Sequence, residues 1–261
     1  MSRDFEELDY RQTPLGELIL RRRRIRSLGD LEVFEVKLGE AFLMSSLFTT
    51  VEIALADLGL AQAGPGPLDV VVGGLGLGYT AAAALAHNSV RSLIVVEAFE
   101  AVIGWHQRGL VPLGKQLSSD PRCRFVQADF FGMFKPSAPG IYPADPARRF
   151  HAVLLDIDHS PSNLLHESHA AFYAPRGLHR LAKQLHPGGV FALWSDDAPD
   201  QEFMESLNEV FESLTAHVVP FENPLLGTQC ASTVYVARNA RENDDSKDFP
   251  TNRNKLERGA P

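Results

Sequence analysis

Cysteine is nearly missing from this chain, with Cys123 and Cys230 the two examples among 261 residues. That count excludes a disulfide framework, and the pair has none of the spacings of a zinc site. A reducing, cytoplasmic setting is expected. Also missing is any apolar run of the roughly 18 residues that a membrane helix needs. The opening stretch, MSRDFEELDY, is charged from the outset and lacks the apolar core of a signal peptide. Neither a membrane span nor export is expected. Positive charge is in deficit, 25 Lys and Arg against 33 Asp and Glu, for a net charge of −8. A chain of that sign has no general affinity for nucleic acid or for an anionic membrane. The run Arg21–Arg24 is a local exception. Set in GELILRRRRIRS, it reads as a strand with charge on its exposed face and edge.

What is present is the material of a globular α/β protein. Hydrophobic residues make up 44% and charged residues 22%, enough apolar content for a sizeable core. Residues 1–45 read as a small N-terminal β-rich piece, GELILRRRRIRS and LEVFEVKLGEAF being joined through Leu28-Gly29-Asp30 as a hairpin or small sheet. A helix is expected over 45–60, capped by Ser45 or Ser46, and AQAGPGP breaks it.

From there the pattern alternates. Strands are expected at 68–73, 92–97, 123–128, 151–157, 188–194, 215–221 and 231–237. Helices fall between them near 78–88, 99–110, 168–186 and 200–213. Continuous apolar runs such as Val70-Val71-Val72 belong to strands covered on both faces. The fold class expected is therefore α/β, a Rossmann-like and mostly parallel sheet with helices on both faces, occupying residues 46–240. Residues 241–261 are polar, charged and poor in large apolar side chains, the composition of a disordered tail.

Four segments carry chemistry. VVVGGLGLGYT (70–80) is a buried strand, a glycine-rich turn and a helix start. Gly74, Gly76 and Gly78 let the backbone approach a ligand without Cβ clashes, and the helix behind offers free N–H groups. Gly76-x-Gly78-x-x-Ala81 also satisfies the dinucleotide pattern. Glu97, at the tip of the second core strand, is suited to accept from two ribose hydroxyls, in nicotinamide and S-adenosylmethionine sites alike. Asp129, after the third, can accept from an adenine amino group beside Phe130 or Phe131. Asp156, after the fourth, can hold a cationic amine and take its proton. Asp158 and His159 follow it. One of the two aspartates is expected to face the ligand, and Asp156 is favoured. His159, His166 and His169 have no tight ligand set around them, so no metal is expected.

These segments together resemble the polyamine aminopropyltransferases, the spermidine synthase family, within the wider class I methyltransferase-like fold. The resemblance runs over roughly residues 10–237. It rests on VGGLGLG (72–78), VVEAFEAVI (95–103), QADFFGMF (127–134) and FHAVLLDIDHSP (150–161). It implies that Gly74, Gly76, Gly78, Glu97 and Asp129 bind the nucleoside and that Asp156, Asp158 and His159 form the catalytic group. Glu52, in TTVEIALA, would lie on the substrate side, and a homodimer or larger assembly is implied. The sequence also departs from the family's pattern. Gly76 stands where an acid normally holds the aminopropyl ammonium, His159 stands in place of a second aspartate, and Thr50-Val51 replace a tyrosine and a histidine.

The activity expected is transfer of an aminopropyl group from decarboxylated S-adenosylmethionine to a small amine. Methyl transfer from intact S-adenosylmethionine is the alternative, and a silent nucleoside-binding relative a third. A nicotinamide-dependent dehydrogenase leaves the acid at 129 and the N-terminal hairpin without a purpose.

Overall fold

The structure, a computed structural model, describes residues 4–241. The tail expected from 241 onward lies, but for Arg241, outside the described residues. Among the described residues no helix is long and apolar enough to cross a membrane.

The N-terminal piece is a four-stranded antiparallel sheet of β1 (Phe5–Thr13), β2 (Gly16–Ile25), β3 (Leu31–Leu38) and β4 (Ala41–Ser45), in sequential order. The expected hairpin is its central pair, β2 and β3, and β1 adds a strand that sequence patterning did not mark. The register explains the arginine run. Arg21 Nε and Arg23 Nε, two apart and so on one face, donate to the two oxygens of Glu35 at 2.7 Å each. Arg22, on the other face, pairs with Glu6 at 2.6 Å and Glu32 at 3.4 Å. Arg21, Arg22 and Arg23 are thus paired within the sheet, and Arg24 is exposed. Its inner face, including Leu18, Leu20, Val36 and Leu38, joins the main core.

The helix α1 (Thr50–Gln62) starts five residues later than expected. Its N-cap position is Thr49, without a capping side-chain bond, because Ser46 Oγ instead accepts from Phe34 N and Ser45 Oγ from Leu47 N. Gly59 lets α1 sit close on the main sheet, where a Cβ would lie 2.7 Å from Leu154 Cδ2.

The main sheet has seven strands: β5 (Leu68–Gly73), β6 (Val90–Glu97), β7 (Cys123–Gln127), β8 (Phe150–Leu155), β9 (Leu185–Ser195), β10 (Ser213–Asn223) and β11 (Thr228–Arg238). Their order is β10-β11-β9-β8-β5-β6-β7, with β5 to β9 parallel and the last hairpin antiparallel. The chain runs outward from β5 to β7, then returns to place β8 on the other side of β5. Such a reversal opens a crevice at the carboxyl ends of the strands.

Alternation along β5 feeds both faces. Val70 and Val72 pack with α1, α2 (Tyr79–Ala86) and α3 (Glu100–Gln107), while Val71 joins a second cluster around Phe130, Phe172 and Phe191. A short helix, α4 (Gly114–Ser119), was not anticipated. The single helix expected over 168–186 is instead α5 (Ala170–Tyr173) and α6 (Pro175–Ala182). Pro175 forces extended backbone on Ala174, ψ 155°, and restarts the helix at its first turn. The last helix, α7 (Gln201–Val210), is capped by Asp200, whose carboxylate accepts from Glu202 N and Phe203 N.

Candidate active site

The carboxyl ends of β5 to β9 open onto a cleft of about 690 Å³, roofed by β4 and the adjoining loops of the N-terminal sheet. That volume is within the range of small-molecule sites. Gly74, Gly76 and Gly78 all have positive φ, at 94°, 47° and 93°. A Cβ on Gly74 would collide with the carbonyl oxygen of Asp156, and one on Gly78 would lie 2.8 Å from His106 Cε1. The glycine turn is therefore a steric necessity of the β5–β8 junction as well as an approach for a ligand. His106, fully buried, braces it from beneath through Nε2 on the Gly76 carbonyl at 2.8 Å.

Glu97 is buried at the tip of β6. Its Oε2 accepts from Leu75 N at 3.0 Å and its Oε1 from Phe99 N at 2.9 Å. Burial raises its pKa, and the surrounding backbone N–H groups act against that rise. The carboxylate ties the glycine turn to the neighbouring strand end and lines the cleft there. Asp129, two residues beyond β7, is exposed and lies 3.9 Å from Lys135 Nζ. Phe130 and Phe131 reach the cleft but are mostly committed to the aromatic cluster. Phe131 stacks on His169 at 3.8 Å between centroids.

Asp156 follows β8 directly. Its backbone N–H donates to Gly73 O at 2.8 Å, and its Oδ2 accepts from Thr80 Oγ1 at 2.6 Å. Glu52, on the first turn of α1, lines the same cleft. Burial, and then the Asp156 charge, push the Glu52 carboxyl up to about 8. Burial also lifts Asp156, to about 6, against the pull of the Thr80 hydroxyl. Burial and mutual repulsion both oppose two negative charges on this pair.

Asp158 stands apart from the other residues of the expected catalytic group. Its carboxylate is buried and turned away from the cleft, accepting from Leu165 N at 2.8 Å, His169 Nδ1 at 2.8 Å and Tyr173 OH at 2.8 Å. Strand β8 stops at Leu155, so both aspartates lie in the loop that follows, and Asp158 anchors it. His159 lies in the cleft lining, with its carbonyl accepting from Asp196 N at 2.7 Å. His166 lines the cleft too, and His169 is held by Asp158. Among the described residues no group of three His, Cys, Asp or Glu side chains is placed to hold a metal ion.

Sequence reasoning missed four contributors. Met44, on β4, covers the crest of the turn. Its Sδ accepts from Leu77 N at 3.2 Å, and a Cβ on Gly76 would strike the thioether. Thr80 binds Asp156, and its place two residues after Gly78 was a usable signal. Trp194 and Asp196, at the end of β9, complete the far wall. No local pattern marks Met44 or Trp194, since each is defined by what lies across the cleft.

The cleft is lined by the acids Glu52, Glu97, Asp129, Asp156 and Asp196 and, among the described residues, by no Lys or Arg. It is electrostatically a site for a cation.

No family model matches the sequence, and no curated protein matches it. Solved structures do resemble it. A spermidine synthase from Thermotoga maritima superposes with a TM-score of 0.65 at 16% identity, covering 90% of this chain and 72% of that one. A spermidine synthase in complex with the transition state analogue AdoDATO gives 0.66 at 16% identity, covering 90% and 74%. The seven-stranded sheet, its helices and the N-terminal antiparallel piece give this chain the fold of the spermidine synthases.

Proposed function

We propose that this protein is a transferase that moves an alkyl group from a sulfonium nucleoside to an amine, with decarboxylated S-adenosylmethionine as donor and an aminopropyl group as cargo. The observation that carries this reading is the cleft over a glycine turn, lined by five acids and, among the described residues, by no Lys or Arg, with Asp156 at the strand tip. The likeness to spermidine synthases, one of them holding a transition state analogue, supports it at the level of fold.

In this reading Glu97 holds the ribose and Asp129 the adenine amino group. The acceptor amine enters beside Asp156 and gives its proton to that carboxylate. The nitrogen lone pair forms the new N–C bond while the C–S bonding pair goes to sulfur. The sulfur leaves as a neutral thioether, so charge and electrons balance. A base raised towards neutrality takes a proton more readily than an ordinary carboxylate. The rest of the work is alignment of nitrogen, carbon and sulfur. Asp158 acts as a positioning residue for the loop that carries His159, and Glu52 holds substrate across from Asp156.

Met44 supports a second reading. It fills the space over Gly76 with a thioether, so no carboxylate stands at the crest of the turn to select a donor lacking its own carboxylate. Intact S-adenosylmethionine and methyl transfer then become the competing reaction. Mass spectrometry of the protein with each donor and a panel of amines separates the two. Methylthioadenosine is the expected by-product. S-adenosylhomocysteine would assign methyl transfer, and neither by-product with any amine would overturn both readings.

A further inference from the structure

Beyond Asp156, the cleft continues between the start of α1 and the ends of β9, β10 and β11, and this end is built differently from the nucleoside end. Its walls are Phe48, Val51, Trp194, Phe221 and Cys230. Phe48 and Phe221 meet edge to face, 6.1 Å between centroids, although they belong to a loop before α1 and to an edge strand. Trp194 and Phe221 also pack on the main core, which fixes the wall rather than leaving it pliable. The anionic groups of this end are concentrated at its inner limit, where Glu52 faces Asp156. The remaining carboxylate, Asp196, stands exposed at the solvent mouth beside His159, and its Oδ1 accepts from Ser232 Oγ at 3.2 Å.

From this arrangement we infer that the acceptor is a primary monoamine with an apolar or aromatic body, rather than a linear diamine. The inference deepens the proposed transfer and rests on it, because Asp156 must receive the amine. One ammonium is matched at the Glu52–Asp156 pair, whose two carboxyls line this part of the cleft and resist carrying two charges together. The body of the acceptor lies on Phe48, Trp194 and Phe221, where each buried methylene is favourable. A second ammonium on a short chain would stop against those rings, stripped of water and unpaired, which is costly.

The test is kcat/KM for by-product release with hexylamine, 2-phenylethylamine and 1,4-diaminobutane, using decarboxylated S-adenosylmethionine and then S-adenosylmethionine as donor. The apolar monoamines should exceed the diamine by about tenfold or more, the discrimination that one or two apolar contacts provide. Phe221→Ala should cost the monoamines about tenfold and leave the diamine unchanged, while Phe221→Glu should reverse the preference. Nucleoside binding, followed by calorimetry in each variant, should not move. A diamine turned over as well as or better than the monoamines overturns this inference and leaves the transfer standing. A uniform loss in Phe221→Ala, for all three amines, overturns it as well. No by-product with any amine overturns the transfer and, with it, the inference.

Discussion

Asp156 and Glu52 differ in what their protonation does, and each difference is measurable. Asp156 must be ionised to accept a proton, and its pKa is raised to about 6. Activity should therefore rise with pH through about 6, and a profile flat from pH 5 to 8 would exclude it as the base. Asp156→Asn should lower turnover by roughly 10²–10⁴, the usual contribution of a positioned base, with nucleoside binding retained. Glu52 has a folded pKa raised to about 8 from an ordinary 4.5. Between those values the folded state holds a proton that the unfolded chain has lost, so stability falls as pH rises across that window. Glu52→Gln removes the penalty. Its melting temperature should exceed that of the wild type at pH 8, by a margin that grows as pH rises from 4.5 to 8. The two should converge near pH 4.5. Asp156 was legible in the sequence because a carboxylate directly after an apolar strand is a local pattern. The role of Asp158 was not, since His169 and Tyr173, its partners, lie 11 and 15 residues on and reach it only through the loop's path.

At the scale of elements, strands β5, β6, β8 and β9 were readable because burial on both faces writes itself as apolar runs. The strand β1 was not. FEELDYRQT is exposed or half-buried throughout, so it carries no apolar alternation to detect. The helix broken at Pro175 had a visible signal in the proline itself, overridden by the periodicity on either side. The turn after β5 was the clearest element, and its glycines are required for more than ligand approach. Gly74→Ala adds a Cβ at φ 94° against the Asp156 carbonyl. We expect a loss of about 3 kcal/mol in denaturant unfolding, together with loss of nucleoside binding, from strain and overpacking combined. An alanine variant as stable as the wild type would show that the turn relaxes freely.

For the whole molecule, the decisive arrangement is the docking of the N-terminal sheet on the seven-stranded α/β core. Besides shared apolar packing and the Leu77–Met44 contact, it is fastened by hydrogen bonds to Asp9 Oδ2 on β1, from Trp105 Nε1 on α3 at 2.6 Å and from Arg108 Nη2 at 3.3 Å. Burial opposes the charge on Asp9, but hydrogen bonds from Trp105 and Arg11, with the Arg108 charge, hold its carboxyl below the usual range. Asp9→Ala leaves the indole N–H of a fully buried tryptophan without its acceptor. The expected cost is about 2 kcal/mol, read from denaturant unfolding. A change below about 0.5 kcal/mol, the size of an ordinary surface substitution, would mean that apolar packing alone holds the two sheets together.

Because β4 supplies Met44 above the glycine turn while β5, β6 and β8 supply what lies beneath, anything lodged in the cleft touches both sheets at once. Its occupant would act as a rivet. Saturating nucleoside should slow amide hydrogen exchange in β3 and β4 as well as in the glycine turn, a linkage between occupancy and the fastening of a sheet remote in sequence.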